Sequence, residues 1–406
     1  MPSERITFPG HDGSDLAARL DLPEGPHLAT ALFAHCFTCG KDILAAKRIS
    51  ARLAAMGIAV LRFDFTGLGH SQGEFANTTF STNVEDLVCA ARHLASRGMA
   101  PEMLVGHSLG GAAVLKAAGR IEGIKAVATL AAPFEPSAVT RHFTGALPDI
   151  EADGSANAML GGQTVRIGKG FVKDIRASEM QPAIHDLHAA LLVMHAPRDD
   201  TVGIDNATRI FVAARHPKSF VTLDDADHLI TRAEDAEYAA RVIAAWASRY
   251  IALPPPAPAA SAPEGIVRVS EADPDGFLQD VQSGPAHHLL ADEPVEFGGT
   301  NRGLSPYGLV AAGLGACTSM TIRMYARRKG WPLTHVSVDV SHSKIHAKDA
   351  EDSGARIDRF HREITLEGNL DQAQRARLME IADKCPVHQT LERSSHVETR
   401  LIVPAG

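Results

Sequence analysis

MLVGHSLGGAAV, residues 103–114, decides the fold of the first two-thirds of the chain. The apolar run 103–105 predicts a short buried strand, and the alanine-rich segment after Gly110 predicts a helix. A serine on the sharp turn between them takes a strained backbone conformation, which lifts its hydroxyl clear of the sheet. Unpaired N–H groups at the helix start, that of Leu109 among them, point to the same place. We therefore predict that Ser108 is a nucleophile beside half an oxyanion hole, with a plain glycine-rich turn as the alternative.

Composition is that of an ordinary globular protein. The 406 residues are 45% hydrophobic and carry a net charge of −8, which favours neither a nucleic acid nor an anionic membrane as partner. The N-terminal segment MPSERITFPG lacks an apolar signal, and no run approaches the roughly 20 apolar residues of a membrane span. Five irregularly spaced cysteines argue against a secreted disulfide framework. We therefore expect a cytoplasmic protein.

A Pro/Ala-rich segment predicts the domain boundary. Residues 253–264 read as an extended linker, which separates a domain at 1–252 from a second one at 265–406. Apolar strands alternate with amphipathic helices before the linker, so we predict a mostly parallel sheet covered on both faces. Residues 133–188 interrupt this alternation and are expected to form a small cap over the carboxyl edge of the sheet.

A serine nucleophile needs a base and an orienting carboxylate, and two later strands supply them. Asp199 follows the apolar run 191–194, and His228 follows the run 220–223. Both therefore lie in loops at the carboxyl edge of the sheet. Asp200 competes with its neighbour for the acidic role, but the spacing favours Asp199.

These features together resemble the serine α/β-hydrolases. The order Ser108, Asp199, His228 is the order of that family, and the stretch RFDFTGLGHS at 62–71 is similar to its R-x-D-x-R-G-x-G-x-S stretch. The resemblance implies an acyl-enzyme mechanism on a small acyl ester, with peptide hydrolysis left open. It also implies a second oxyanion donor at the backbone N–H of Cys36 or Phe37, although Cys36 replaces the usual glycine.

The same loop carries a C-x-x-C pattern. Cys36 and Cys39 lie between a strand and a helix, where a thioredoxin-like redox dithiol would lie. The alternative interpretation, which the hydrolase-like strand order favours, is a pair of buried thiols beside the oxyanion loop.

The second domain is organised around one long apolar helix. Residues 307–326 contain no charge before Arg323, so the helix is expected to be buried on every side. A domain of about 140 residues can hardly enclose it alone, which predicts a homodimer formed through this domain. An amphipathic helix at 372–384 and a closing strand at 397–403 are also expected.

The cysteines of this domain resemble those of the OsmC/Ohr family of thiol peroxidases. The resemblance rests on Ser305-Pro306, the ACTSMT helix, the SHSKIH strand and the DKCPVH turn. It implies an α+β fold in which Cys317 is the peroxidatic thiol and Cys385 the resolving thiol. Its substrates would be an organic hydroperoxide and a dithiol reductant.

Two departures leave an alternative open for this domain. Tyr307 stands where the family has a glutamate, and no activating arginine can be matched; Arg302, Asp292 and Glu293 are the substitutes. A cysteine in an apolar helix without such support has a raised pKa. The alternative is therefore a non-catalytic module that dimerises the hydrolase. No cofactor and no metal site is predicted for either domain.

Overall fold

A computed structural model describes residues 2–37, 39–160, 163–251, 253, 262–284, 287–346 and 356–401. The chain divides into two units, residues 1–256 and 257–406, and each is described by itself. Most of the predicted linker, 254–261, lies outside the described residues.

The elements of the first unit alternate strand and helix. In chain order they are β1 (Ser3–Pro9), β2 (Asp15–Asp21), β3 (Ala29–Ala34), α1 (Leu44–Ala55), β4 (Ile58–Phe63), α2 (Phe80–Ser96), β5 (Met103–His107), α3 (Leu109–Ala118), β6 (Ala126–Leu130), α4 (Leu147–Asp153), β7 (Ser155–Leu160), β8 (Gln163–Gly168), α5 (Lys169–Ala177), α6 (Gln181–His185), β9 (Ala190–His195), α7 (Asp205–Ala213), β10 (Lys218–Thr222) and α8 (Ala233–Ala247).

Among these residues, eight strands form one sheet in the order β1-β2-β4-β3-β5-β6-β9-β10. β1 and β2 form an antiparallel edge of the sheet. The other six strands, β4, β3, β5, β6, β9 and β10, run parallel to one another. The central strands are apolar because both faces are covered: Leu32 packs towards α2 and α3, and its neighbour Phe33 packs towards α1 and α8. This is the predicted α/β-hydrolase sheet, and the prediction is confirmed.

The interruption in the alternation is a small cap. Between β6 and β9 lie a 3-10 helix at Pro136–Ala146, α4, the antiparallel hairpin β7–β8, α5 and α6. Phe171 of α5 is fully buried in the same hydrophobic core as Leu32, α2 and α3, and it attaches the cap to that core.

The second unit is built from antiparallel strands and one long helix. Its elements are β11 (Val267–Glu271), β12 (Gln279–Ser283), β13 (His287–Ala291), α9 (Pro306–Lys329), β14 (Leu333–His346), β15 (Arg356–Gly368), α10 (Gln372–Ala382) and α11 (Pro386–Leu391). β11–β13 form one antiparallel sheet, and β14 and β15 form a long hairpin.

Helix α9 buries only one stripe within a single chain. Thr318 and Ile322 lie on that stripe, whereas the side chains of Met320 and Met324 on another face are 70% and 68% exposed. Within the part of the chain that the structure describes, the remaining apolar surface of the helix is therefore uncovered.

The closing strand predicted over 397–403 is wrong for its described part. Residues 397–401 form no strand, and Val397 and Leu401 are exposed. A strand needs a neighbouring edge to pair its backbone groups, and no described strand of the same chain pairs with this segment. A search of the described residues for helices long and apolar enough to cross a bilayer found none.

Candidate active site and thiol pair

Ser108 occupies the turn between β5 and α3 with φ of 54°. This left-handed conformation is costly for serine and is held by close packing around the turn. A Cβ at Gly106 would lie 2.4 Å from the Gly110 carbonyl oxygen, and one at Gly110 would lie 2.4 Å from the His35 carbonyl oxygen. Both glycines are therefore required for the strand, turn and helix to approach one another.

The structure brings the three predicted triad residues together. The Nε2 atom of His228 lies 3.0 Å from the Ser108 hydroxyl oxygen, and its Nδ1 atom lies 2.7 Å from a carboxylate oxygen of Asp199. The rival Asp200 is exposed, and its carboxylate accepts a hydrogen bond from the Thr201 hydroxyl. Spacing had favoured Asp199, and only Asp199 contacts the imidazole.

The surroundings of Asp199 keep its side chain ionised. Burial alone would raise the pKa of this carboxyl, but the hydrogen bond from His228 and the N–H groups of Val202 and Thr201 lower it overall. Since a carboxylate only accepts hydrogen bonds, the His228 Nδ1 atom carries the proton. The Nε2 atom is then free to accept the hydrogen of the Ser108 hydroxyl.

The predicted oxyanion donors line the cavity at Ser108 or a void next to it. Cys36, Phe37 and Ser108 line one cavity, and Leu109 lines a smaller void next to Cys36 and Phe37. Leu109 is the first residue of α3, so its N–H has no acceptor within the helix.

Cys36 and Cys39 are joined by a disulfide bond. The interpretation of this pair as two buried free thiols is therefore wrong, because the turn brings their Cα atoms to 5.3 Å, within bridging distance. Cys36 is buried and Cys39 is half-buried, and both border the cavity above Ser108.

Asp64 holds the far end of the oxyanion loop, a role the sequence analysis missed. One of its carboxylate oxygens accepts the Lys41 backbone N–H at 2.6 Å, and the other accepts the Lys41 ammonium at 2.7 Å and the His70 N–H at 2.9 Å. The RFDFTGLGHS stretch contained the signal, because an aspartate directly after a buried strand needs partners.

The cavity above Ser108 has a volume of about 680 Å³. Its apolar wall comes from the oxyanion loop, the cap and the loop after β10, and its polar groups lie mainly near Ser108 and Asp64. The apolar side chains are those of Phe37, Ile43, Val139, Met159, Leu160 and Leu229. Such a wall suits an apolar acyl or alcohol group.

In the second unit Cys317 and Cys385 lie close enough for each thiol to shift the pKa of the other. Burial and the neighbouring thiol raise the pKa of Cys317. Burial also opposes ionisation of Cys385, but the N–H groups of His388 and Val387 and the Cys317 thiol lower its pKa overall. The two sulfurs therefore titrate as a pair, with the negative charge favoured at Cys385.

An arginine that sequence reasoning did not single out lies beside this pair. Arg362 of β15 donates to the Thr318 hydroxyl at 3.0 Å, to the Ala382 carbonyl at 3.2 Å and to the Asp383 carboxylate at 2.8 Å. It links the segment carrying Cys317 to the turn before Cys385. Its position on a strand far from both cysteines gave no sequence signal.

The substitutes named from sequence have other contacts. The Asp292 carboxylate accepts the N–H groups of Glu293, Thr300 and Arg302 and so organises its own loop. Tyr307 stacks on His342, with ring centres 4.0 Å apart. Within the described ranges, no three His, Cys, Asp or Glu side chains are grouped so as to hold a metal ion.

Comparisons with known proteins agree with this architecture. Residues 39–150 match the family described as serine aminopeptidase, S33, and residues 299–400 match the family of OsmC-like proteins. The YfhR protein of Salmonella typhi, described as uncharacterized, is 23% identical over 230 residues, which cover 56% of this chain and 75% of that protein.

Solved structures extend the likeness. The esterase domain of a Rhodothermus marinus protein is 46% identical, with a TM-score of 0.52 over 62% of this chain and 99% of that one. GrgF, an α/β hydrolase from Penicillium sp. sh18, is 18% identical, with a TM-score of 0.53 over 62% of this chain and 100% of that one. Identity as low as that of GrgF supports the fold alone. The predicted resemblance to α/β-hydrolases and to OsmC proteins is confirmed.

Proposed function

Because this chain belongs to the α/β-hydrolase family and an OsmC-like domain follows the hydrolase domain in its sequence, we propose that it is a carboxylic ester hydrolase acting through Ser108. The observation that carries the proposal is the continuous set of contacts from the Ser108 hydroxyl through His228 to Asp199, at 3.0 and 2.7 Å. Ser108, His228 and Asp199 lie far apart in the chain, and folding alone does not require their side chains to contact one another in this order.

The geometry supports a two-step acyl transfer. The Ser108 oxygen attacks the ester carbonyl while His228 takes its proton, and the N–H groups at Leu109 and at Cys36 or Phe37 stabilise the oxyanion. His228 then protonates the departing alcohol, which leaves an acyl group on Ser108. Water, deprotonated by the same imidazole, releases the acid. Asp199 holds the imidazole and stabilises its positive charge throughout.

The cavity favours a small ester over a peptide. Its apolar wall suits an acyl or alcohol group. The sequence also contains no recognisable peptide-anchoring domain. The Rhodothermus marinus relative is described as an esterase domain, which also favours esters. Peptide hydrolysis, the activity in the name of the family matched at 39–150, is the alternative.

The test compares wild type, Ser108→Ala and a surface control, Ser96→Ala, on p-nitrophenyl acetate and butyrate and on amino-acid p-nitroanilides. We expect Ser108→Ala to lose at least about 1,000-fold in kcat and the control to keep wild-type rates. Ester turnover that survives in Ser108→Ala would contradict the proposal. Faster turnover of anilides than of esters would favour the peptidase alternative.

We propose a second activity, thiol-dependent reduction of organic hydroperoxides, for the OsmC-like domain. The contact between Cys317 and Cys385 supports it, because a sulfenic acid formed on one sulfur has its resolving partner within reach. Cys317 is half-buried, whereas Cys385 has no exposed area. Since a hydroperoxide must reach the sulfur, we assign attack to Cys317 and resolution to Cys385.

The cycle balances with an external dithiol. Cys317 first gives its proton to the Cys385 thiolate, which is the favoured ionised form of the pair. The Cys317 thiolate then attacks the terminal peroxide oxygen, and the alkoxide leaves as an alcohol after taking a proton. Cys385 attacks the sulfenic sulfur and releases water, which forms a disulfide between the two residues. A dithiol then reduces this bond and is itself oxidised.

Consumption of cumene hydroperoxide with dihydrolipoamide tests this activity. We expect Cys317→Ser to abolish turnover, Cys385→Ser to accumulate a dimedone-trappable sulfenate at Cys317, and Cys89→Ser in the first unit to behave as wild type. No turnover by the wild type would leave the alternative, a non-catalytic module that dimerises the hydrolase. A sulfenate trapped at Cys385 in Cys317→Ser would reverse the two roles.

A further inference from the structure

The disulfide between Cys36 and Cys39 lies in the loop that supplies the oxyanion donor. Both residues border the Ser108 cavity, and Phe37, whose backbone N–H is one candidate donor, lies inside the ring that the bond closes. We propose that this bond is a redox-active site: a small dithiol entering the cavity reduces it, and reduction slows ester hydrolysis at Ser108. The second half of this inference rests on the proposed esterase function.

The bond closes a loop whose two ends are already fixed. At one end the Cys36 carbonyl accepts hydrogen bonds from the His35 Nδ1 atom at 2.8 Å and from the Cys39 N–H at 3.2 Å. At the other end Asp64 holds Lys41 through the backbone and the ammonium group. The disulfide cross-links Cys36 to Cys39 in addition to the backbone and the Cys39 N–H bond, so its loss loosens the segment that carries the donor.

The loop also supports the cap. The Phe37 ring stacks on Phe171 with ring centres 5.4 Å apart, and it lies 6.1 Å from the Phe143 ring. Both partners belong to the cap. A shift of Phe37 on reduction therefore changes the oxyanion donor and the apolar wall of the cavity together.

Stability alone is a poor reason for a bridge of this size. In the chain-entropy account the stabilisation grows with the length of the closed loop, and Cys36 and Cys39 are only three positions apart. What distinguishes this disulfide is its place in the wall of the cavity above Ser108. Cys39 is half-buried there whereas Cys36 is buried, so we assign the attack of a thiolate to the Cys39 sulfur.

The exchange proceeds through a mixed disulfide. A thiolate of the dithiol attacks the Cys39 sulfur, and the Cys36 sulfur leaves as a thiolate that takes a proton. The second thiol of the dithiol then attacks the mixed disulfide and releases Cys39, also protonated. Two electrons and two protons pass to the protein, and the dithiol becomes a cyclic disulfide.

The experiment uses the full chain carrying Cys317→Ser and Cys385→Ser, so that the other thiol pair does not respond. Protein equilibrated with dithiothreitol or with oxidised glutathione is alkylated, and mass spectrometry counts the thiols at Cys36 and Cys39. Initial rates on p-nitrophenyl acetate are measured on the same samples. We expect reduction to lower kcat by about tenfold, less than the 100- to 1,000-fold of a donor removed outright. Oxidised glutathione should restore the rate.

Cys39→Ser breaks the bond and keeps the Cys36 backbone. It should show the reduced-state kcat in both conditions, and Cys89→Ser should respond like its parent. Reduction seen by mass spectrometry without a change in kcat would overturn the gating, and an intact bond in excess dithiothreitol would overturn the redox site itself. Absence of Ser108-dependent turnover in either state would instead overturn the esterase proposal, while the thiol count would still report whether the bond is reducible.

Discussion

The imidazole of His107 donates a hydrogen bond from Nε2 to the backbone carbonyl of His228 across 2.7 Å. The residue that precedes the proposed nucleophile therefore holds the main chain of the proposed base. His195 does the same for the acid: its Nε2 atom donates to the Val202 carbonyl at 2.7 Å and closes the loop that carries Asp199. Each loop of the triad is thus fastened to the end of a buried strand.

Removing the His107 donor should slow hydrolysis without removing any triad group. His107→Phe keeps an aromatic ring of similar size but leaves the His228 carbonyl unpaired, which costs about 1–3 kcal/mol. We expect kcat to fall about 10- to 100-fold with KM little changed. His93→Phe is the matched control, because the His93 ring stacks on Phe8 in the same unit; this variant should keep the wild-type kcat. Equal kcat in the two variants would show that His107 does not position the base.

Acid should unfold the first unit partly through His107. Burial, together with the nearby His228, lowers the pKa of this imidazole from 6.5 to about 4. Between these pH values the unfolded chain binds a proton that the folded chain does not, so the free energy of unfolding falls as the pH falls. From pH 7 to pH 5, the free energy of unfolding should fall by on the order of 2 kcal/mol through this group.

Urea unfolding at pH 7 and pH 5 measures this loss. It should shrink by about that amount in His107→Phe and stay at the wild-type value in a variant of an exposed histidine, His27→Asn. An unchanged pH dependence in His107→Phe would mean that other groups cause the acid sensitivity.

The sequence predicted the parts of the site that depend on local order. Ser108 could be identified because Gly106 and Gly110 lie two positions away on either side, and Asp199 and His228 because each lies in the loop after a strand. The positioning histidines were missed for two reasons. His107 contacts a residue 121 positions away, and His195 contacts a carbonyl 7 positions away within a loop whose shape the sequence pattern does not determine. A signal was nevertheless present, since β5 and β9 are apolar strands that each end in a histidine.

Asparagine at position 199 should not support hydrolysis, although its side chain fits the same space as that of Asp199. An amide at 199 can donate to the His228 Nδ1 atom, which favours the tautomer that cannot accept the Ser108 proton. We expect kcat to fall about 10,000-fold in Asp199→Asn. Asp200→Asn changes the adjacent, exposed carboxylate and should stay within about twofold of wild type. A comparable loss in both variants would contradict the assignment of the acid to Asp199.

Arg62 should matter for stability more than any exposed arginine. Its guanidinium is buried and donates to Asp21 at 2.7 Å and to the Lys41 carbonyl and Asp42 at 2.6 Å. Arg62→Met leaves the buried Asp21 carboxylate unpaired, for a cost of about 3–5 kcal/mol in urea unfolding. Arg97→Met removes an exposed pair with Glu4 and should cost below about 1 kcal/mol. Similar losses would indicate that the buried network does not stabilise the sheet edge.

The uncovered face of α9 predicts the outcome of a dimerisation experiment. Met320 and Met324 are exposed in one chain, so carboxylates there should not unfold it, but they would be buried unpaired if a second copy covers the helix. We expect a wild-type dimer by light scattering after size exclusion, and a Kd raised at least about 100-fold in Met320→Glu/Met324→Glu, since each tenfold corresponds to 1.4 kcal/mol. Met379→Glu on α10 adds the same charge at another exposed methionine and should leave the dimer intact. A monomeric wild type, or a double variant that stays dimeric with an unchanged Kd, would exclude this face as the dimer interface.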